Sequence, residues 1–196
     1  MNVVPSEPGQ PDAGIRDTQL ANLQMAQDNG KVAIILDVNN RRLTPATTEG
    51  PYYKAGSPEK VSLREDGVPG EKLALTGHVF DRNGDYVVGA RLDFWQADGT
   101  GRYDNAGYVL RGHQDTNEVG EYAVQTVVPG GYTGRTPHIH VKVSSPDGGL
   151  TLTTQLFMPG LASNSGDPIF RDDLLVEMST SPRGKSARFD FTLDLP

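Results

Sequence analysis

The sequence predicts an all-β fold, two sheets packed as a sandwich, and three observations carry that reading. Apolar and polar residues alternate in a series of short runs, which is the period of strands. Turn signals separate the runs, with Asn83-Gly84 the clearest of them. The chain also holds 23 glycines, which suit tight turns and weaken helices.

Residues 1–15, rich in Pro, Gly and small polar types, read as a poorly ordered arm. DTQLANLQMAQDN, residues 17–29, predicts a short helix capped at Asp17 and stopped by Gly30. KVAIILDV, residues 31–38, reads as a buried strand, with helix the competing assignment. The expected division is an N-terminal arm over residues 1–40 and a sandwich over residues 41–196.

Strands are expected in LALTGHVFD, ARLDFWQAD, EYAVQTVVP, HIHVKVSS, LTLTTQLFM and RFDFTLDL. Asn83-Gly84 turns the first into the second, and Pro146-Asp147-Gly148-Gly149 joins HIHVKVSS to LTLTTQLFM. Residues 39–71 and 98–120 read as long irregular segments, and loops of that length inside a compact domain usually carry function.

The net charge of −7 argues against a nucleic-acid groove or an anchor on anionic lipid. The absence of cysteine removes disulfides, thiolate metal sites and cysteine nucleophiles together. The N-terminus has neither a basic n-region nor an apolar h-region, so no signal peptide is expected. No apolar run reaches the length of a membrane span. A cytoplasmic location is favoured over an exported form whose leader has been removed.

GGYTGRTPHIHVKV, residues 130–143, is where chemistry is expected. In a strand, His138, His140 and Lys142 share one face, and Ile139, Val141 and Val143 share the other. The two imidazoles then project together, as one metal ion would require of two ligands. The bland alternative is an ordinary strand face. A nearby carboxylate such as Asp98 or Asp104 would complete a two-histidine iron(II) or zinc site. Yet Glu121 is the only acid in residues 121–137, where Tyr132 occupies a glycine-rich turn, and Tyr103 ends the run GTGRY. Phenolate is a hard anionic ligand that suits iron(III).

Arg135, three residues before His138, is either a surface ion pair or a fixed cation beside developing negative charge. Gln155, in mid-strand, needs polar partners if buried and is read as facing the histidines. Trp95 and Tyr122 are read as core, and Tyr52, Tyr53, Tyr86 and Tyr108 as packing residues. His78 is read as facing solvent or a neighbouring strand, and His113 as an outside candidate.

TEGPYY, LDFWQADGTGRYDNAG, GEYAVQTVVPGGY, RTPHIHVKV and LTTQLFMPG, spread in order over residues 44–160, together resemble the intradiol ring-cleavage dioxygenases. That family includes protocatechuate 3,4-dioxygenase and catechol 1,2-dioxygenase. The resemblance implies a two-sheet β-sandwich with long active-site loops. It implies a mononuclear non-haem iron(III) held by Tyr103, Tyr132, His138 and His140. Arg135, Gln155 and Tyr132 would be catalytic, with Tyr132 displaced from the metal to take a substrate proton. Thr48, Pro51, Tyr52 and Arg135 would contact substrate. The partners would be a small aromatic diol and O2, and the product a cis,cis-muconate.

The helical dimerisation segment of catechol 1,2-dioxygenases has no counterpart expected here beyond one short helix, which argues against that mode of dimerisation and leaves a homo-oligomer open. TGHVFDRNGDYVVGARLDF and NEVGEYAVQTVVPGGY also resemble non-catalytic transthyretin-like or carboxypeptidase-regulatory sandwiches. That competing reading explains the strands but not TEGPYY, GRY or RTPHIH.

Overall fold

The computed structural model describes residues 41–182 and 184–196. The arm, helix and strand expected over residues 1–40 lie outside the described residues. Nine strands follow in order: β1 (Lys72–Phe80), β2 (Arg91–Gln96), β3 (Arg111–Asp115), β4 (Glu121–Val127), β5 (His138–Ser144), β6 (Thr151–Phe157), β7 (Glu177–Ser181), β8 (Gly184–Arg188) and β9 (Phe191–Thr192). One sheet runs β3-β2-β5-β6, antiparallel throughout. The other runs β4-β1-β8-β7, with β9 paired to β1.

Period-two alternation drives the packing. In β4, Tyr122 and Val124 are buried while Glu121, Ala123 and Gln125 are exposed. Leu73, Leu75, Leu92, Phe94, Val141, Val143 and Phe191 fill the space between the sheets. Tyr122 is core as expected, and its hydroxyl donates to the Phe189 carbonyl at 2.8 Å.

Three strands escaped the sequence pattern. RGHQD forms β3 inside the stretch read as irregular, and EMSTS and GKSAR form β7 and β8. None of them alternates apolar with polar residues, because each lies at or near a sheet edge where little faces the core. RFDFTLDL was expected as one strand, but Arg188 ends β8 and Phe191–Thr192 pairs separately as β9, both on β1. The break falls at Asp190, whose carboxylate accepts the His78 amide at 3.0 Å in place of a ladder partner.

The long segment before β1 is ordered by sheet edges. Thr47 N bonds Thr153 O on β6, His113 N on β3 bonds Pro58 O, and Leu63 N bonds Gln125 O on β4. Covering edges blunts their tendency to pair with other chains. It also draws TEGPYY across one end of the β3-β2-β5-β6 sheet, over the outer face of β5.

Candidate metal centre

That outer face is buried rather than exposed. His138 and His140 are 2% and 1% exposed, although their strand neighbours Ile139 and Val141 point the opposite way into the core. The loop supplies the cover. Gly50 has φ of +71°, and a Cβ there would meet the His140 ring at 3.4 Å. A left-handed glycine is what lets the backbone lie against the imidazole.

Two other loops bring the tyrosines in, and they touch backbone to backbone. A Cβ on Gly101 would lie 2.3 Å from the Gly131 carbonyl, and one on Gly130 would lie 2.5 Å from the Gly101 amide. Gly130 N donates to Asp98 O at 2.8 Å. Two residues beyond each contact stand Tyr103 and Tyr132, with ring centroids 5.8 Å apart. A hydrogen-bonded turn from Tyr132 to Arg135, closed at 2.8 Å, then leads into β5. Gly134, at φ +74°, takes the position in that turn where a side chain would be strained.

All four expected ligands therefore converge. The Tyr132 and His138 rings are 5.7 Å apart, and those of His138 and His140 are 4.8 Å apart. The two Nε2 atoms face each other at 3.1 Å. Two neutral lone pairs at that separation repel unless a proton or a cation lies between them. The pair is spaced so that both imidazoles could hold one metal ion.

His138 has its tautomer set, because Nδ1–H donates to the Thr136 carbonyl at 2.7 Å and leaves Nε2 bare. Burial lowers the His138 pKa to about 4 despite that bond. Burial, then the neighbouring His138, holds His140 well below the ordinary value. Both rings are thus neutral, the form that binds metal. The Tyr103 hydroxyl and His140 Nδ1 are buried with no hydrogen-bond partner. An orphaned buried phenol is costly, and a cation beside it removes the cost. The donor set of two imidazoles and two phenols fits a hard, highly charged ion.

The two tyrosines differ. Burial raises the Tyr103 pKa strongly, with Tyr132 adding to the effect and Arg135 and Arg111 opposing it. Burial also raises that of Tyr132, with Arg135 as the main opposing influence. Tyr132 faces a cleft of about 620 Å³ walled by Tyr52, Gly101, Arg102, Tyr103, Asn105 and Thr133, within the usual range for ligand sites. Tyr52 stacks on Tyr103 at 4.3 Å and meets Tyr132 edge-on. Pro51 is exposed at the loop's bend.

Arg135 and Gln155 meet. An Arg135 terminal nitrogen donates to Gln155 Oε1, and Gln155 Nε2 donates to the Thr48 carbonyl at 2.8 Å. Gln155 is fully buried on β6, directly opposite His140. Arg135 is no surface ion pair, since its partner Asp167 has a side chain 1% exposed.

Other expectations are corrected. Asp98 accepts from Thr100 N and Arg102 N at 2.8 and 3.1 Å. Asp104 accepts from Ala106, Gly107 and Val109 amides at 2.8 to 3.0 Å. Both carboxylates shape their own turns, and among the described residues no group of three His, Cys, Asp or Glu could hold a metal. The carboxylate-ligated alternative therefore lacks its third ligand. Trp95 is buried but not between the sheets: it lies opposite His140 in the ladder and stacks on that ring. Tyr53 is more than packing, because its hydroxyl donates to Asp93. His113 stays outside the site, bonded to Ser57 O at 2.8 Å.

Two participants had no sequence signal, Asp167 and Arg111. Arg111, 2% exposed, donates to the Asp104 and Tyr52 carbonyls at 3.0 and 2.6 Å. Its guanidinium carbon lies 5.8 Å from the Tyr103 ring centroid.

Comparison with known proteins bears on the family. Residues 48–195 match a family model described as Dioxygenase. The chain is 33% identical over 159 residues to catechol 1,2-dioxygenase of Acinetobacter baylyi, covering 66% of this chain and 49% of that protein. It is 31% identical over 181 residues to hydroxyquinol 1,2-dioxygenase of a Rhizobium species, covering 76% and 59%. The matches span about half the length of these curated relatives. Among solved structures, the dioxygenase domain of a dioxygenase–carbohydrate-binding protein fusion from Streptomyces sp. SirexAA-E superposes with a TM-score of 0.76 at 44% identity, covering 79% of this chain and all of that one. The sandwich, the ordered motifs and these matches lead to one assignment: the chain belongs to the intradiol dioxygenase family.

Proposed function

We propose that this protein is an iron(III)-dependent intradiol dioxygenase that opens a catechol-type ring between its hydroxyl-bearing carbons. The observation that carries the reading is the convergence of Tyr103, Tyr132, His138 and His140, with the Nε2 atoms of the two histidines facing each other at 3.1 Å. These four side chains would hold the metal. When bound, iron(III) supplies Lewis acidity that acidifies the diol and activates its ring toward dioxygen.

The rest falls to the chain's own groups. The cleft beside Tyr132, walled in part by Tyr52, is large enough to admit an aromatic ring. Tyr132, which lines that cleft and is less buried than Tyr103, takes a diol proton on its phenolate oxygen as substrate enters. The Arg135 guanidinium, 3.5 Å from the Tyr132 hydroxyl, stabilises negative charge on the ring as aromaticity is lost. Gln155 holds Arg135 on one side and the Thr48 carbonyl on the other, tying the loop to the strand. Burial of His138 and His140 excludes water from the back of the site. Both oxygen atoms of O2 end in the two carboxylates of a cis,cis-muconate, so the reaction balances with no external reductant.

The test is the visible spectrum of the iron-loaded protein before and after anaerobic catechol. A broad band that moves to longer wavelength, then bleaches with O2 uptake and a muconate product, supports the proposal. A colourless protein inert toward catechol, hydroxyquinol and protocatechuate sinks it. The same panel ranks the ring substituents.

A further inference from the structure

We propose that Asp167 is a positioning residue of this site: one carboxylate aligns the Arg135 guanidinium and pins the peptide that orients His138. The inference rests on the reading of the site given above.

Asp167 comes from the segment after β6, outside every motif that marks the site. Its Oδ2 accepts from Arg135 Nε and from the Thr136 amide, each at 2.9 Å. Its Oδ1 accepts from the Ile169 amide at 2.9 Å. All three partners are donors. An asparagine offers one acceptor oxygen, so its amide N–H would confront at least one of them. The geometry selects a carboxylate, and hydrogen bonds with an ionised partner are the strong ones.

Each bond has a consequence in the site. Gripping Arg135 through Nε fixes the roll of the guanidinium plane. The two terminal nitrogens are then left to face Tyr132 and Gln155. Without the grip, a side chain with this many rotors spreads over several rotamers. The Thr136 bond acts on the other branch. Thr136 is 1% exposed, and its carbonyl is the acceptor that sets the His138 tautomer. Its side chain is held by the same segment, with Oγ1 bonded to Asn164 Oδ1 at 2.6 Å and lying 2.7 Å from Ser163 Oγ. The segment after β6 thus grips the approach to β5 from behind, and Asp167 is the one member that reaches Arg135.

The experiment compares the parent with Asp167→Asn, Arg135→Ala and the double variant. In the metal-free protein, the Arg135 Nε–H is read by NMR. It should exchange slowly in the parent and fast in Asp167→Asn. In the iron-loaded protein, kcat per bound iron should fall about tenfold or more with KM nearly unchanged, as for loss of a transition-state contact. The double variant should be no worse than Arg135→Ala. Asp167→Glu, which restores the charge, should recover part of both the exchange protection and kcat. An Nε–H as protected in Asp167→Asn as in the parent overturns the proposal, as do losses that add fully to those of Arg135→Ala. Should Asp167→Asn fail to fold, Asp167→Glu takes its place: protection and kcat falling together support the proposal, and protection lost with kcat kept overturns it. If the parent neither binds iron nor cleaves catechols, the functional reading fails, and the NMR comparison still decides whether Asp167 holds Arg135.

Discussion

The indole of Trp95 lies flat against the imidazole of His140, with ring centroids 4.8 Å apart and planes 8° from parallel. The ladder imposes this contact, since Trp95 on β2 is directly opposite His140 on β5. His140 has no partner for Nδ1, so packing rather than a hydrogen bond sets its ring plane.

Trp95 is the only tryptophan in the chain, so it reports on the site directly. Adding iron(III) to metal-free protein should quench most of its emission, in proportion to the iron bound. Trp95→Leu should weaken iron affinity about tenfold, the scale of supporting-shell losses at metal sites. Emission that ignores bound iron would show that the metal sits elsewhere.

The two tyrosines should not behave alike. Tyr103 is the more deeply buried, stacked under Tyr52, and has no partner for its hydroxyl. Tyr132 opens onto the cleft. Tyr103→Phe is expected to lose iron, measured by metal analysis after desalting. Tyr132→Phe should keep a substantial share of the iron yet slow the anaerobic colour change on adding catechol. An unchanged rate of that change would remove Tyr132 as the proton acceptor.

Buried neutral histidines make stability depend on pH. The folded-state pKa of His138 lies near 4, below its unfolded value of about 6.5. The unfolded chain therefore binds more protons between these values, and stability rises with pH across that window. The contribution is fully present above about 6.5 and is lost as pH falls toward 4, on the order of 3 kcal/mol for a shift of this size. Denaturation of metal-free protein at several pH values should show the decline, and His138→Gln should flatten it. NMR should find neither His138 nor His140 protonated above about pH 5. A His138 imidazole that titrates near 6.5 would mean the site is wet.

Much of this was legible in the sequence, for reasons that particular residues explain. His138-Ile139-His140 obeys the strand period, and Ile139 and Val141 declare which face is core. Gly101, Gly130 and Gly134 mark where tyrosine-bearing loops touch or turn. What could not be read lay where the pattern carries no apolar signal. β3, β7 and β8 are polar strands defined by their neighbours. Asp167 sits 29 residues beyond His138 in a turn whose composition suggests only a turn. Trp95 read as core because burial and position in the core coincide for most tryptophans. Here the loop over β5 creates a second buried layer on the outer face of the sheet.

The loop itself is stapled by Asp93 on β2, which accepts from Ser57 Oγ at 2.7 Å and Tyr53 OH at 3.2 Å. Burial raises the Asp93 pKa, while these two donors and the nearby His113 and Lys142 oppose the shift. Burial and the adjacent Asp93 push Tyr53 up to about 12. Asp93→Ala should cost about 1–3 kcal/mol, since it leaves buried hydroxyls unmatched. Because Tyr52 precedes Tyr53 on the same loop, KM for catechol should rise more than kcat falls. A loss of stability with KM unchanged would show that the staple and the substrate wall are independent.

Arg111 presents the sharpest conflict between burial and charge. It is 2% exposed, yet the acceptors it bonds are two neutral carbonyls, those of Tyr52 and Asp104. A buried cation bonded only to carbonyls is expensive, and burial lowers its pKa against the opposing influence of Tyr103, Asp104 and Asp93. The expense makes sense beside Tyr103, because a phenolate there would add to the negative charge of Asp104 and Asp93. Arg111→Met keeps the volume and removes the cation. Two carbonyls lose their donor, and the Tyr103 phenol becomes harder to ionise. The variant is expected to fold with a lower Tm and to bind iron(III) about tenfold more weakly, as when a supporting group is lost at a metal site. The affinity loss should shrink as pH rises, since higher pH restores the phenolate that Arg111 would have stabilised. Competition titration against a chelator at two pH values measures this, with Arg111→Lys expected to fall between parent and Met. An affinity loss that stays constant with pH would assign Arg111 to scaffolding of the Tyr52 and Asp104 backbones and leave the ionisation of Tyr103 to other groups.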